Sequence, residues 1–512
     1  MIDKRDYRNL VFKILSFSIN LVISFFVSSF VIRTVGEEAY GFVGLANDFV
    51  SYAQIITIAI NSMATRYITM EYERKNIESA NRYYSSLFFA NVIMTIAISA
   101  VGSIIILNLE RLVNVSPEIL LDVKILWFFI LLNLGITLLG TAFTVAPFCK
   151  KRLDLVSFRD IIACIIRSII LVICYLCFKP FVLYIGIGTV ISTLYTTVYN
   201  IKYSKRLMPE LSIKRKDFKK ANTIELIKSG GWNSITKTGT VLSSGLDLTV
   251  TNLSVGASSM GIMSVTKIIP NHIYTFVNTA ASAFSPSFIL AYARNDFKQM
   301  VADLKKTFRI FSVFSIVPIV LVISLAPNIF SLWVPSVNQN YLYSLTIAAS
   351  IGYLAVMPFE SIWSIYVASN KIKWSSIYLI LESFANVGIE LLLIQFTEDI
   401  LIKMMIIVGV TSALQFLRVL FFFPFYTKKC IGESFGFMYL FLIKNFLVFF
   451  LLIVFGRFVV SFFPFYNWIS LITSFLIIGV ISIIICFFAI LDSGDRLQLF
   501  NYLKSKTRKH RL

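Results

Sequence analysis

Charged and polar side chains interrupt long apolar runs in this chain, and these are the residues with chemistry to offer. A charge at mid-helix in hydrocarbon costs roughly 2.5–3.5 kcal/mol on insertion scales, so it needs a partner or a wet cavity. In segment 229–254, Asn233, Lys237, Thr240, Ser244, Asp247 and Thr251 recur at spacings of three or four, which puts them on one helical face. In segment 258–290, Lys267, Asn271, Tyr274, Asn278 and Ser282 form a second face around the kink expected at Pro270. Arg167 stands in segment 155–178, and Glu360 follows Pro358 in segment 341–369. Glu382, Asn386 and Glu390 form a stripe in segment 375–397.

Lys237, Lys267 and Arg167 are the candidate cationic set. In a low-dielectric cavity they can neutralise an anionic group such as a diphosphate, which does not cross hydrocarbon unpaired. Amides and hydroxyls such as Asn271 can replace water around sugar hydroxyls, and Tyr274 can stack on a sugar ring. Asp247, Glu360 and Glu382 are candidates for charge balance or ion coupling. Two other readings stay open. Ser, Thr and Asn also join helices without binding anything. Asp247 and Lys267 lie about 12 and 18 Å from the turn near residue 255 at 1.5 Å per residue, so a structural ion pair competes with a ligand role. Asp48, Arg66, Arg159 and Lys444 lie nearer the interfaces, where snorkelling accounts for them.

Other chemistries find little support. Two histidines and six cysteines set in helices or at helix ends form neither a disulfide framework nor a metal cluster. A phosphate-cradling G-x-x-x-x-G-K-[ST] loop is missing from the sequence. No gap between apolar segments is long enough for a catalytic domain, so we expect neither an enzyme nor a cofactor.

Fourteen segments position these residues: 11–35, 41–66, 83–108, 122–147, 155–178, 181–202, 229–254, 258–290, 307–333, 341–369, 375–397, 401–423, 436–457 and 468–491. The runs are near-continuous and many reach the roughly 20 residues that cross a bilayer as helix, which excludes a β-barrel. The expected fold is therefore an all-α polytopic membrane protein. Most of the 47 Lys and Arg fall in alternate gaps, on the side holding both termini. Such an excess marks the cytoplasmic side, and it accounts for the net charge of +20 without nucleic acid. The charged N-terminus runs into a first helix with no cleavage site behind it.

A shift of 220 residues aligns the chain with itself. It places Val35-Gly36 on Val255-Gly256, Gly41 on Gly261, Ser62 on Ser282, Tyr72 on Tyr292 and Arg74 on Arg294. The turn Lys150-Lys151-Arg152 falls on Asn370-Lys371-Ile372. Six helices per repeat is an even number, so the repeats enter the membrane the same way. The expected organisation is a bundle over 1–202, a basic cytoplasmic linker over 203–228, a second bundle over 229–423, and helices 13 and 14 with a basic tail over 424–512. The shift also sets Ser16, Asn20 and Ser24 opposite Thr236, Thr240 and Ser244, and Asn47, Ser51 and Gln54 opposite Lys267, Asn271 and Tyr274. Polar faces recurring on the leading helices of both halves suggest a hydrated cavity, with Asn20 and Asn47 in its lining.

Val35-Gly-Glu-Glu-Ala-Tyr-Gly41, Arg66-Tyr-Ile-Thr-Met-Glu-Tyr-Glu-Arg-Lys75, the short basic turn after helix 4 and the twelve-plus-two layout carry a family likeness. The chain resembles the MOP flippase superfamily, in its polysaccharide-exporter branch of Wzx-type O-antigen flippases. The resemblance implies a V-shaped pair of bundles that moves polyprenyl-diphosphate-linked oligosaccharide from the cytoplasmic to the periplasmic leaflet by alternating access. It implies the bacterial inner membrane, contact with membrane lipids, and Na+ or H+ as the coupling ion. A polysaccharide polymerase and a chain-length regulator are the corresponding candidate protein partners. Lipid II flippases of the superfamily use arginines on early helices, where this chain has Asn20, Ser24, Asn47 and Ser51. A multidrug and toxic-compound extrusion (MATE) antiporter is the alternative within the superfamily.

Overall fold

The computed structural model describes residues 4–150, 152–282, 284–369, 371–462 and 467–497, without the side chains of 4–11, 13, 14, 240, 243–245, 286 and 293. Helix occupies all fourteen segments. The first seven are α1 (Lys4–Val35), α2 (Glu37–Glu73), α3 (Ile77–Leu107), α4 (Leu120–Thr141, continued to Cys149), α5 (Leu153–Cys177), α6 (Leu183–Leu207) and α7 (Lys220–Ser254). They are followed by α8 (Ala257–Ser282, then Ser285–Ala293), α9 (Phe297–Trp333), α10 (Gln339–Val356, continued to Ala368), α11 (Ile372–Leu393), α12 (Ile400–Leu417, continued to Ile431), α13 (Phe437–Phe462) and α14 (Trp468–Ala489). Among the described residues, 11 helices are long and apolar enough to cross a membrane. The fourteen crossings expected from the sequence exceed that number by α6, α7 and α8. These three are long enough, but Thr, Tyr, Asn and Lys dilute their apolar windows.

Backbone geometry recurs at the 220-residue interval. Gly36 and Gly256 both take positive φ (88° and 123°), a region open to glycine because it has no Cβ. Lys75 and Asn295 are the two non-glycine residues with positive φ among those described (63° and 56°). The next residue in each case, Asn76 or Asp296, caps the following helix by accepting from the amide of Ser79 or Gln299. Packing recurs too: α4 lies against α3 and α6, and α10 lies against α9 and α12.

The chain forms two compact units, Met1–Ser264 with Ser376–Ser383, and Val265–Ser375 with Phe384–Leu512. In the first unit α2 runs along α7. A Cβ on Gly230 would stand 1.8 Å from the Ala59 carbonyl oxygen, so the two backbones nearly touch. The repeat-related Gly41 and Gly261 also meet, with a Cβ on Gly41 falling 2.8 Å from the Gly261 Cα. The basic linker is docked on α3: the amides of Ser212, Lys214 and Lys219 donate to Asn81, Ser85 and Ser86. In the second unit α9 is the centre, with buried Ile316, Val320 and Leu325 meeting Phe449 and Leu452 of α13 and Ile478 of α14. Arg309 of α9 holds the segment after α14 through Asp492 (2.7 Å) and Asp495 (2.5 Å).

Candidate functional site

In the second unit the polar face of α8 meets a buried network. Pro270 lies inside α8, where it removes a backbone hydrogen bond and favours a bend. Beyond it, Asn271 accepts from the Tyr353 hydroxyl at 2.6 Å. The Tyr274 and Tyr353 rings lie 5.4 Å apart, tilted by 34°. One helical turn on, Asn278 donates to Glu360 at 3.2 Å. The Tyr274 hydroxyl lies close to the same carboxylate, which also feels the charge of Arg418. Glu360 and Arg418 are 5% and 8% exposed. Each occurs where its helix departs from α geometry: Glu360 follows a 3-10 turn at Met357–Phe359, and Arg418 begins a π-turn over Arg418–Phe422. Irregular turns of this kind re-aim side chains and often mark functional positions.

This network brings Asn271 and Tyr274 of one predicted stripe to Glu360, which the sequence left apart, and adds Tyr353 and Arg418. Neither stood out from the sequence: the polar residues at helical spacing before them, Ser350 and Gln415, are uncharged and set in apolar runs. Lys267 lies one turn before Asn271 on α8 and is partly buried. A further network joins α11 and α12. Asn386 donates to Thr411 (3.1 Å), whose hydroxyl donates to the fully buried Glu390 (3.4 Å).

In the first unit the stripe on α7 divides. Asn233 donates to Ser62 of α2 (3.1 Å) and Ser234 to the Ile55 carbonyl (2.9 Å), so this end joins helices. Thr236 pairs with Ser376 (2.7 Å). Lys237 is partly buried, Asp247 is 2% exposed, and Asp247 of α7 and Asp48 of α2 both act electrostatically on Tyr52. The side chains of Thr240 and Ser244 lie outside the described residues. Glu382 of α11 is 7% exposed. Asn20 and Asn47 donate to carbonyls of their own helices, at Ser16 and Val43 (2.8 Å each), leaving their amide oxygens as the groups to offer a ligand. Arg167 of α5 rests its stem on Gly188 and acts electrostatically on Tyr40, and no carboxylate pairs with it among the described residues. Arg159 does not snorkel: it is buried, bound to Asn200 and to Asp160 (2.6 Å).

A family profile described as "Polysaccharide biosynthesis protein" matches residues 7–290, more than half of the chain. The chain belongs to this family of polysaccharide biosynthesis proteins. A relative within reach is the uncharacterized membrane protein EpsK of Bacillus subtilis (strain 168), 26% identical over 373 residues, which are 73% of this chain and 74% of EpsK. The fold is that of the MOP superfamily. The lipid II flippase MurJ in an inward closed conformation superposes with a TM-score of 0.69 at 14% identity, over 93% of this chain and 97% of MurJ. An inward-facing multidrug resistance MATE family transporter gives 0.66 at 14% identity, over 83% of this chain and all of that one. The same superfamily in an outward-facing conformation gives 0.61 at 13% identity, over 84% and 97%. With this fold and family, the chain is a multi-pass membrane protein.

Proposed function

We propose that this member of the family is a flippase that carries polyprenyl-diphosphate-linked oligosaccharide from the cytoplasmic to the periplasmic leaflet. Two six-helix bundles work by alternating access, and both termini lie in the cytoplasm. The cargo is the repeat unit of an O-antigen or another surface polysaccharide, and the site is the bacterial plasma membrane. The observation that carries this reading is the polar face of α8, where Lys267 adjoins a network of Asn271, Tyr274, Tyr353 and Asn278 with the buried Glu360 and Arg418. Such a face offers a cation for a diphosphate, amides for sugar hydroxyls and aromatic rings for stacking. Lys237, Arg167, Asn20 and Asn47 complete the binding set, and Asp247, Glu360 and Glu382 balance charge or couple an ion. The bulk of the polyprenyl tail stays in lipid while the head passes.

A MATE-type ion-coupled antiporter for drugs or metabolites is the second reading. It is favoured by the buried acids Glu360, Glu382 and Glu390, which suit a cation. Membrane vesicles separate the two: uptake competed by lipid-linked sugar supports the flippase, and efflux of cationic drugs supports the antiporter. Lys237→Ala and Lys267→Ala should each reduce surface glycan at unchanged protein level. Full activity in both variants would overturn the cationic assignment.

A further inference from the structure

Between α2, α3 and α4 lies a cavity of about 440 Å³, within the roughly 300–1,000 Å³ range of small-molecule sites. Its wall is apolar almost throughout, with Ala53 and Ile56 from α2, Ala97 and Val101 from α3, and Ile130 and Leu134 from α4. A water in such a space lacks the two to four polar partners it needs, so the cavity takes hydrocarbon and not solvent.

Two features select the hydrocarbon. The cavity is continuous with the outer surface of the bundle: Ile56 and Val101 line its mouth and are 56% and 59% exposed, whereas Ile130 and Leu134 at the back are 7% and 3% exposed. A chain therefore enters sideways from the bilayer. Tyr52 also lines the cavity, about 22 Å along α2 from Glu37 at 1.5 Å per residue. The Tyr52 hydroxyl lies near Thr249 and Asp247 of α7 and Asp48 of α2. The apolar space thus adjoins a polar face deep in the helices. A bulk phospholipid keeps its head at the membrane surface and makes no use of that junction. A lipid whose head travels through the protein does.

We propose that this cavity is a slot for the part of the polyprenyl tail next to the diphosphate, with the head group on the polar face of α7. The inference rests on the flippase reading and gives that substrate a second point of recognition. Its width is set by Gly102, where a Cβ would fall 2.7 Å from the Leu131 side chain, another lining residue.

The test is photolabelling of the full-length protein in phospholipid vesicles. The probe is a polyprenyl-diphosphate-linked oligosaccharide with a diazirine in its first isoprene units, and flipping of the same lipid is measured in parallel. Label should map to residues 94–106 and 127–134, be displaced by unlabelled polyprenyl diphosphate, and be lost with slowed flipping in Ala97→Phe. Ile96→Phe serves as control, since Ile96 is 65% exposed and outside the lining. Three results would overturn the slot while leaving the flippase intact. They are flipping with no label in these helices, Ala97→Phe flipping at the Ile96→Phe rate, and equal label from a diazirine phospholipid that polyprenyl diphosphate does not displace. No flipping by the wild type would overturn both.

Discussion

Adding one methyl group at Gly230 or at Gly231 should move stability in opposite directions. A Cβ on Gly230 would lie 1.8 Å from the Ala59 oxygen and 2.7 Å from the Ala59 carbonyl carbon. Ordinary contact begins near 3.4 Å, and the obstructing atoms are backbone, so no rotamer change relieves the overlap. α2 and α7 must part, and overpacking of this kind costs about 1–3 kcal/mol. Gly231 has nothing within 4 Å of its Cβ position. There alanine only removes the flexibility of a mid-helix glycine, a gain of about 0.5–1 kcal/mol. The two variants should therefore differ by about 1.5–4 kcal/mol, with wild type between them. Denaturant titration of each protein in the same detergent, followed by tryptophan fluorescence, measures the difference. Equal stability of Gly230→Ala and Gly231→Ala would refute the close contact of α2 and α7. The same contact sets where Lys237 and Asp247 sit on α7, so Gly230→Ala should also weaken transport.

Other expectations follow from particular side chains. Glu360→Leu removes a buried carboxylate from the field of Arg418 and leaves that buried cation less compensated, so stability should fall. The double variant Glu360→Leu/Arg418→Leu should recover much of that loss, whereas additive losses in the cycle would show that the two do not couple. Asn252→Ala removes the two hydrogen bonds that its side chain makes with the Asn114 backbone (2.8 and 3.0 Å). Hydrogen exchange over residues 108–119 should accelerate, and unchanged exchange would contradict the role of this pair. Arg309→Ala releases Asp492 and Asp495, so exchange over 490–497 should rise and the effect should shrink in high salt.

Much of the fold was legible in the sequence because it depends on local rules. Apolar length marked the helices, and the 220-residue shift aligned Gly36 with Gly256 and Arg74 with Arg294; the structure adds that both glycines take positive φ and that Asn76 and Asp296, two residues past the arginines, are matching caps. Helical spacing put Asn271, Tyr274 and Asn278 on one face, and the structure gives that face its partners. Spacing does not say what a face meets. Asn233 looked like cavity lining, yet it holds α2 through Ser62. The Asn114–Asn252 pair joins residues 138 apart, with no periodic signal to connect them. Arg418 was hidden for another reason: it sits inside an apolar helix, and only the π-turn and the nearby Glu360 give it a context.

The central claim is that cations on α7 and α8 carry an anionic lipid head across the membrane. Purified protein in vesicles, with a fluorescent polyprenyl-diphosphate-linked oligosaccharide in one leaflet, tests it through quenching by a membrane-impermeant reductant. Wild type should equilibrate the lipid between leaflets, and Lys237→Ala/Lys267→Ala should not, at equal amounts of folded protein. Failure of the wild type to move the lipid, or undiminished movement by the double variant, would contradict it.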